Sequence, residues 1–108
     1  AYWSAVREVF PDAWGISPRK SRLMHGVGIK SMGHLMDAVI ARMNPYDDDV
    51  LRRSQEELER IAPICRWTGG NWEGLGELPW NQLENTNRAV KLLSNHLVRE
   101  YSRVLHIR

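Results

Sequence analysis

Four histidines, one cysteine and three consecutive aspartates are the residues of this 108-residue chain best suited to metal, nucleophilic or acid–base chemistry. Such chemistry needs sets: a nucleophile beside a base, paired carboxylates, or ligands sharing a face. His25 and His34 are nine positions apart, and His96 and His106 are ten apart. Neither interval is the i, i+4 spacing that places two imidazoles on one helical face, so no metal site is expected. Cys65 stands alone between Ile64 and Arg66, which excludes an internal disulfide and a thiolate zinc cage. A buried, inert thiol is the reading for it. Asp47, Asp48 and Asp49 lack the alternating spacing and distal glutamate of a calcium loop and read as a helix cap. Gly26 and Gly28 lack the strand and third glycine of a phosphate fingerprint. They read as a tight turn between helices, whose N–H groups beside Lys30 and Ser31 suit an anion only secondarily. No cofactor and no catalysis within the chain are expected.

Charge offers more than reactive groups do. The net charge is +2 and the pI about 9.0, but the distribution is uneven. Residues 1–43 carry +3, residues 44–84 carry −5 and residues 85–108 carry +4. Twelve of the 15 cations are arginine, whose planar fork suits phosphate or carboxylate. Two readings follow: a basic surface for an anionic partner, or a solvated surface whose basic ends pair with its acidic middle. The strongest cluster is the closing segment, where Arg88, Lys91, Asn95, Arg99, Ser102, Arg103 and His106 lie largely opposite an apolar stripe. Such a face suits a run of phosphates. Arg19, Lys20, Arg22 and Lys30 extend the candidate surface. Trp67 and Trp72 flank Gly69-Gly70 and either grip a partner or plug the loop onto the core, with each indole N–H on a carbonyl.

These side chains must be positioned by helices. Trp3, Val6 and Phe10 share a helical face that Pro11 ends. Ser17-Pro18 reads as the start of a short helix over about residues 18–25. Ile29, Met32, Met36, Val39, Ile40 and Met43 form a helical stripe that Asn44-Pro45 terminates. Leu51, Leu58 and Ile61 mark a third face, laced by Arg52/Glu56, Arg53/Glu57 and Glu56/Arg60 and closed by Pro63. Residues 65–78 are glycine- and tryptophan-rich and irregular, and residues 78–83 suit a single helical turn. From Asn85 or Thr86 a long helix carries Val90, Leu93, Leu97, Tyr101 and Val104. Strand alternation is weak throughout. The expectation is one all-α domain over residues 1–108, a small orthogonal bundle of four or five helices with a Trp/Gly-rich loop. Met36 and Leu93 should be buried. The longest apolar run, Ala38 to Ala41, cannot span a membrane, and no signal peptide is visible. The start on a helical pattern at Ala1 and the Leu-His-Ile-Arg end read as a piece of a longer protein.

Val9-Phe10-Pro11-Asp12-Ala13-Trp14 and Met24-His25-Gly26-Val27-Gly28-Ile29, followed by an amphipathic helix, a tryptophan-glycine loop and a basic closing helix, resemble the C-terminal part of DGQHR-domain proteins. That family includes regulators and accessory proteins of DNA phosphorothioation and related phage-defence clusters. The name-giving motif is absent, so no functional residue carries over from it. The resemblance implies bacterial cytoplasm and a role in DNA modification or its transcriptional control. The expected function is a non-enzymatic accessory domain contacting DNA phosphates through the closing helix. The alternative is a protein-interaction or dimerisation module without nucleic-acid contact.

Overall fold

The computed structural model describes residues 2–44, 46 and 48–106, the last without its side chain. The roles expected of Pro45, Asp47 and the His106 imidazole lie outside the described residues. Four α-helices dominate: α1 (Tyr2–Val9), α2 (Gly26–Arg42), α3 (Val50–Glu59) and α4 (Asn87–His106). Two short strands, β1 (Asn71–Trp72) and β2 (Leu78–Pro79), pair antiparallel inside the loop, Trp72 opposite Leu78. The expectation of a small all-α bundle holds. Among the described residues, no helix is long and apolar enough to cross a membrane.

α1 buries Tyr2, Ala5 and Val6 and ends before Pro11. Its Tyr2 hydroxyl donates to Met32 O at 2.7 Å, fixing α1 on α2. The helix expected over residues 18–25 does not form, because long-range bonds displace its ladder. Arg22 N donates to Trp67 O at 2.9 Å, and Ser21 Oγ donates to Ala13 O at 2.7 Å. The segment is a chain of turns instead, with Ser17 O accepting from Lys20 N and Ser21 N.

α2 starts at Gly26, so the two glycines lie inside the helix rather than in a turn before it. Gly28 is there for proximity: a Cβ would sit 2.0 Å from Arg22 O and 2.7 Å from Leu23 Cα. The buried face of α2 is Val27, Gly28, Ser31, Met32, Leu35 and Val39. It is rotated about a quarter turn from the expected stripe. Ile29 and Ile40 are exposed at 42% and 52%, and Met36 is only half-buried. Small residues caused the rotation. Gly28 and Ser31 admit neighbouring backbone, and Ser31 Oγ donates to Val90 O of α4. On α3, Asp49 caps the N-terminus by accepting from Arg52 N at 3.0 Å. Leu58 and Ile61 are buried, but Leu51 is 40% exposed. Thr86 Oγ1 accepts from Ala89 N at 3.1 Å in the first turn of α4, whose Leu93 and Leu97 are fully buried.

α2 and α4 run parallel. Gly26 abuts Asn85, Lys30 Nζ donates to Asn85 Oδ1, and Ser31 bonds Val90; His34 then faces Ser94 and Val98 across a groove. Chain number rises together on both helices, so their N-termini share one end of the molecule. The tryptophan-glycine loop folds over the opposite flank of α4. Trp67 and Trp72 meet edge to face at 5.1 Å, with Phe10 and His96 at either end of the aromatic row.

Candidate nucleic-acid interface

The exposed face of α4 presents Arg88, Lys91 and Arg99, all open to solvent. The helix rises 1.5 Å per residue, so Arg88 and Arg99 stand about 16 Å apart along it. The parallel arrangement of α2 brings Lys30 to the N-terminal end of this face, held at 3.3 Å on Asn85 Oδ1. Arg19 and Lys20 are exposed on the turns preceding α2. Among the described residues, no carboxylate lies within 4.0 Å of Arg19, Lys20, Lys30, Arg88, Lys91 or Arg99. Two helix N-termini at the same edge add partial positive charge.

Two cations of the expected set stand apart. Arg103 is ion-paired with Glu100 one turn back, so its charge is already partly neutralised. Arg22 is an internal clamp: its guanidinium donates to Leu83 O at 3.0 Å, Pro18 O at 2.8 Å and Asn81 O at 2.6 Å. It also lies over the Trp80 ring at 5.7 Å, tying the turns before α2 to the segment before α4.

Trp67 and Trp72 cannot grip a partner in this fold, being 4% and 0% exposed. They plug the loop onto the core. Their indole N–H groups do not find the expected carbonyls: both are buried without a carbonyl partner, and that of Trp67 lies beside the Cys65 thiol. Cys65 is a half-buried residue whose thiol turns inward and donates to Ile61 O at 3.4 Å. Burial pushes that thiol up from its ordinary value, with Arg66 opposing, which keeps it protonated and inert. Among the described residues, no group of three His, Cys, Asp or Glu side chains is placed to hold a metal ion.

Two arrangements were missed from the sequence. Glu57 is 1% exposed and accepts from Arg60 Nε and the Tyr101 hydroxyl, each at 2.9 Å. Arg42 and Arg53 lie at 3.6 and 3.9 Å. The Arg53/Glu57 spacing was visible, but only as one of three i, i+4 pairs along the helix. Its burial comes from Arg42 and Tyr101, far away in the chain. The second is His96, 5% exposed beneath the loop, with its ring edge on Trp72 at 6.1 Å and against the Gly74 backbone. Burial holds its pKa below the ordinary value, with Glu100 opposing the shift. Comparison with protein-family models, curated proteins and solved structures finds no match.

Proposed function

We propose that the chain is a non-catalytic binding domain that contacts nucleic-acid phosphates along the exposed face of α4 and the adjoining α2 edge. The observation that carries this reading is the set of solvent-exposed cations along α4 and the start of α2 that have no carboxylate within 4.0 Å among the described residues. The 16 Å or so from Arg88 to Arg99 corresponds to roughly five nucleotide steps at 3.4 Å of rise per strand step. Backbone contacts of this kind fix position and carry no sequence readout. The wider role, an accessory to a bacterial cytoplasmic DNA-modification, phage-defence or transcription-regulatory protein, is proposed on the DGQHR-type resemblance of residues 9–14 and 24–29.

A salt titration of duplex DNA binding tests the reading. Each phosphate contact contributes about −0.9 to the slope of log K against log salt. Arg88→Ala, Lys91→Ala and Arg99→Ala together should therefore flatten the slope by about three units, equally on promoter and unrelated DNA. Arg103→Ala alone should change it less than Arg99→Ala, since Glu100 already pairs with it. An unchanged slope in the triple variant refutes the reading.

A protein-interaction module is the second reading. With Trp67 and Trp72 buried, the surface that favours it is the opposite end of α2. There Ile40, Tyr46, Val50 and Leu51 are 52%, 87%, 36% and 40% exposed around the α2–α3 connection. Salt-insensitive self-association, lost on Ile40→Ser with Leu51→Ser, would support this reading over the first.

A further inference from the structure

At the edge where α2 and α4 begin lies a cleft of about 490 Å³ lined by Pro18, Arg19, Arg22, His25 and Asn81. Its ionisable lining can carry only positive charge. Glu84, the one acidic residue in the segment leading to α4, is not part of it. The volume is in the range of small-ligand sites, roughly 300–1,000 Å³.

The cleft is partly organised before anything enters. A guanidinium has five N–H donors. That of Arg22 donates to three backbone carbonyls and rests on Trp80, leaving two donors by count. Its position is fixed by the fold, so little side-chain freedom remains to be lost on binding. His25 precedes α2, and its Nδ1 accepts from Val27 N at 3.5 Å, leaving Nε2 as the donor of the neutral ring. Arg19 is exposed and has no carboxylate within 4.0 Å among the described residues.

We propose that this cleft binds a phosphate monoester, the terminal phosphate of a nucleotide or of a nucleic-acid strand. The proposal rests on the nucleic-acid reading only for the source of that phosphate. A monoester carries about −1.5 to −2 charges at neutral pH, against −1 for a diester, which matches two arginines and a histidine. Arginine forks fit its oxygens.

The test compares one oligonucleotide bearing a 5′-phosphate with its 5′-hydroxyl twin, by fluorescence anisotropy, using the whole chain. A nucleoside 5′-monophosphate and inorganic phosphate serve as competitors, and amide NMR shifts are followed over residues 19–25. The phosphorylated strand should bind at least tenfold tighter, and Arg19→Ala should erase that difference. His25→Asn, which keeps a capping side chain before α2, should also erase it. Shifts confined to the cleft with the mononucleotide or inorganic phosphate, and no added affinity from a strand, identify a small phosphate ester as the ligand and also support the proposal. Equal affinity of the two strands, with no shifts over residues 19–25 at millimolar phosphate, overturns it. Steep salt-dependent duplex binding in that event leaves the α4 reading standing alone. Phosphate binding in the cleft without duplex binding leaves the cleft standing and removes α4.

Discussion

Replacing Glu57 by Gln keeps the shape of the side chain and removes the one negative charge that faces three arginines. The cost can be worked from the contacts. Arg60 is the closest cation, at 2.9 Å, and its side chain is 21% exposed, so its loss falls on a poorly solvated pair. Arg42 and Arg53 are 43% and 37% exposed and sit at 3.6 and 3.9 Å, so water screens much of their share. Removing one partner of a buried pair costs about 3–5 kcal/mol. Partial solvation of the arginines places Glu57→Gln at the low end, about 3 kcal/mol. Tyr101→Phe removes one hydrogen bond to a charged acceptor, worth about 1.5 kcal/mol at the lower limit for such bonds. Urea unfolding of both single variants and the double variant gives the coupling. The double variant should be less destabilised than the sum by about 1 kcal/mol, because the hydroxyl and carboxylate meet at 2.9 Å. A Glu57→Gln cost under about 1 kcal/mol, with strict additivity, would show that the carboxylate is solvated and that the hub does not hold α3 to α4.

Three further outcomes are expected. Leu35→Ala should cost about 2–5 kcal/mol and Met36→Ala under about 2, since Leu35 is fully buried and Met36 only partly; reversed costs in urea unfolding would restore the original stripe. His96, held below its ordinary 6.5 chiefly by burial, takes up a proton more readily in the unfolded chain. Stability should therefore be full above that value and fall as pH drops through it, and His96→Gln should flatten the dependence between about pH 7 and 5; identical slopes would refute this. Burial and the bond to Glu57 push Tyr101 up from 10.0 to about 12, so its stabilisation is full below pH 10 and is lost as pH rises toward 12. Phenolate absorbance with Tyr2 and Tyr46 replaced by Phe should show ionisation only as the chain unfolds, and ionisation near pH 10 in the folded chain would count against the Glu57 contact.

Helix α4 was legible because Val90, Leu93, Leu97 and Tyr101 recur at one helical period and all four are buried, although Leu92 is 49% exposed. Helix α2 was misread by about a quarter turn for a physical reason. Apolar periodicity weighs large side chains, whereas the tightest approaches to α2 use Gly28 and Ser31. The segment over residues 18–25 carried a sound start signal in Ser17-Pro18. The backbone N–H of Arg22, which a helix would have used, is taken by Trp67 O, while the Ser21 hydroxyl ties the segment back to Ala13 O. Local signals fail where a backbone donor is claimed from far along the chain.

For the site, composition revealed the charge segregation but not its resolution. The reading in which basic ends neutralise an acidic middle needs ion pairs between those segments. Arg42 to Glu57 is such a pair, and it is the only one among the described residues. On α3 and its cap, Asp49, Glu56 and Glu57 are otherwise met by Arg52, Arg53 and Arg60, from the same segment. These three carboxylates are therefore met mainly within their own segment, and Arg19, Lys20, Lys30, Arg88, Lys91 and Arg99 keep their charge exposed. A modest net charge of +2 thus understates the field on that side. The parallel run of α2 and α4 sets the direction of that field, because it gathers cations from three separate stretches at one edge. No spacing rule along the chain encodes that juxtaposition, which depends on the contacts of Gly26 and Lys30 with Asn85.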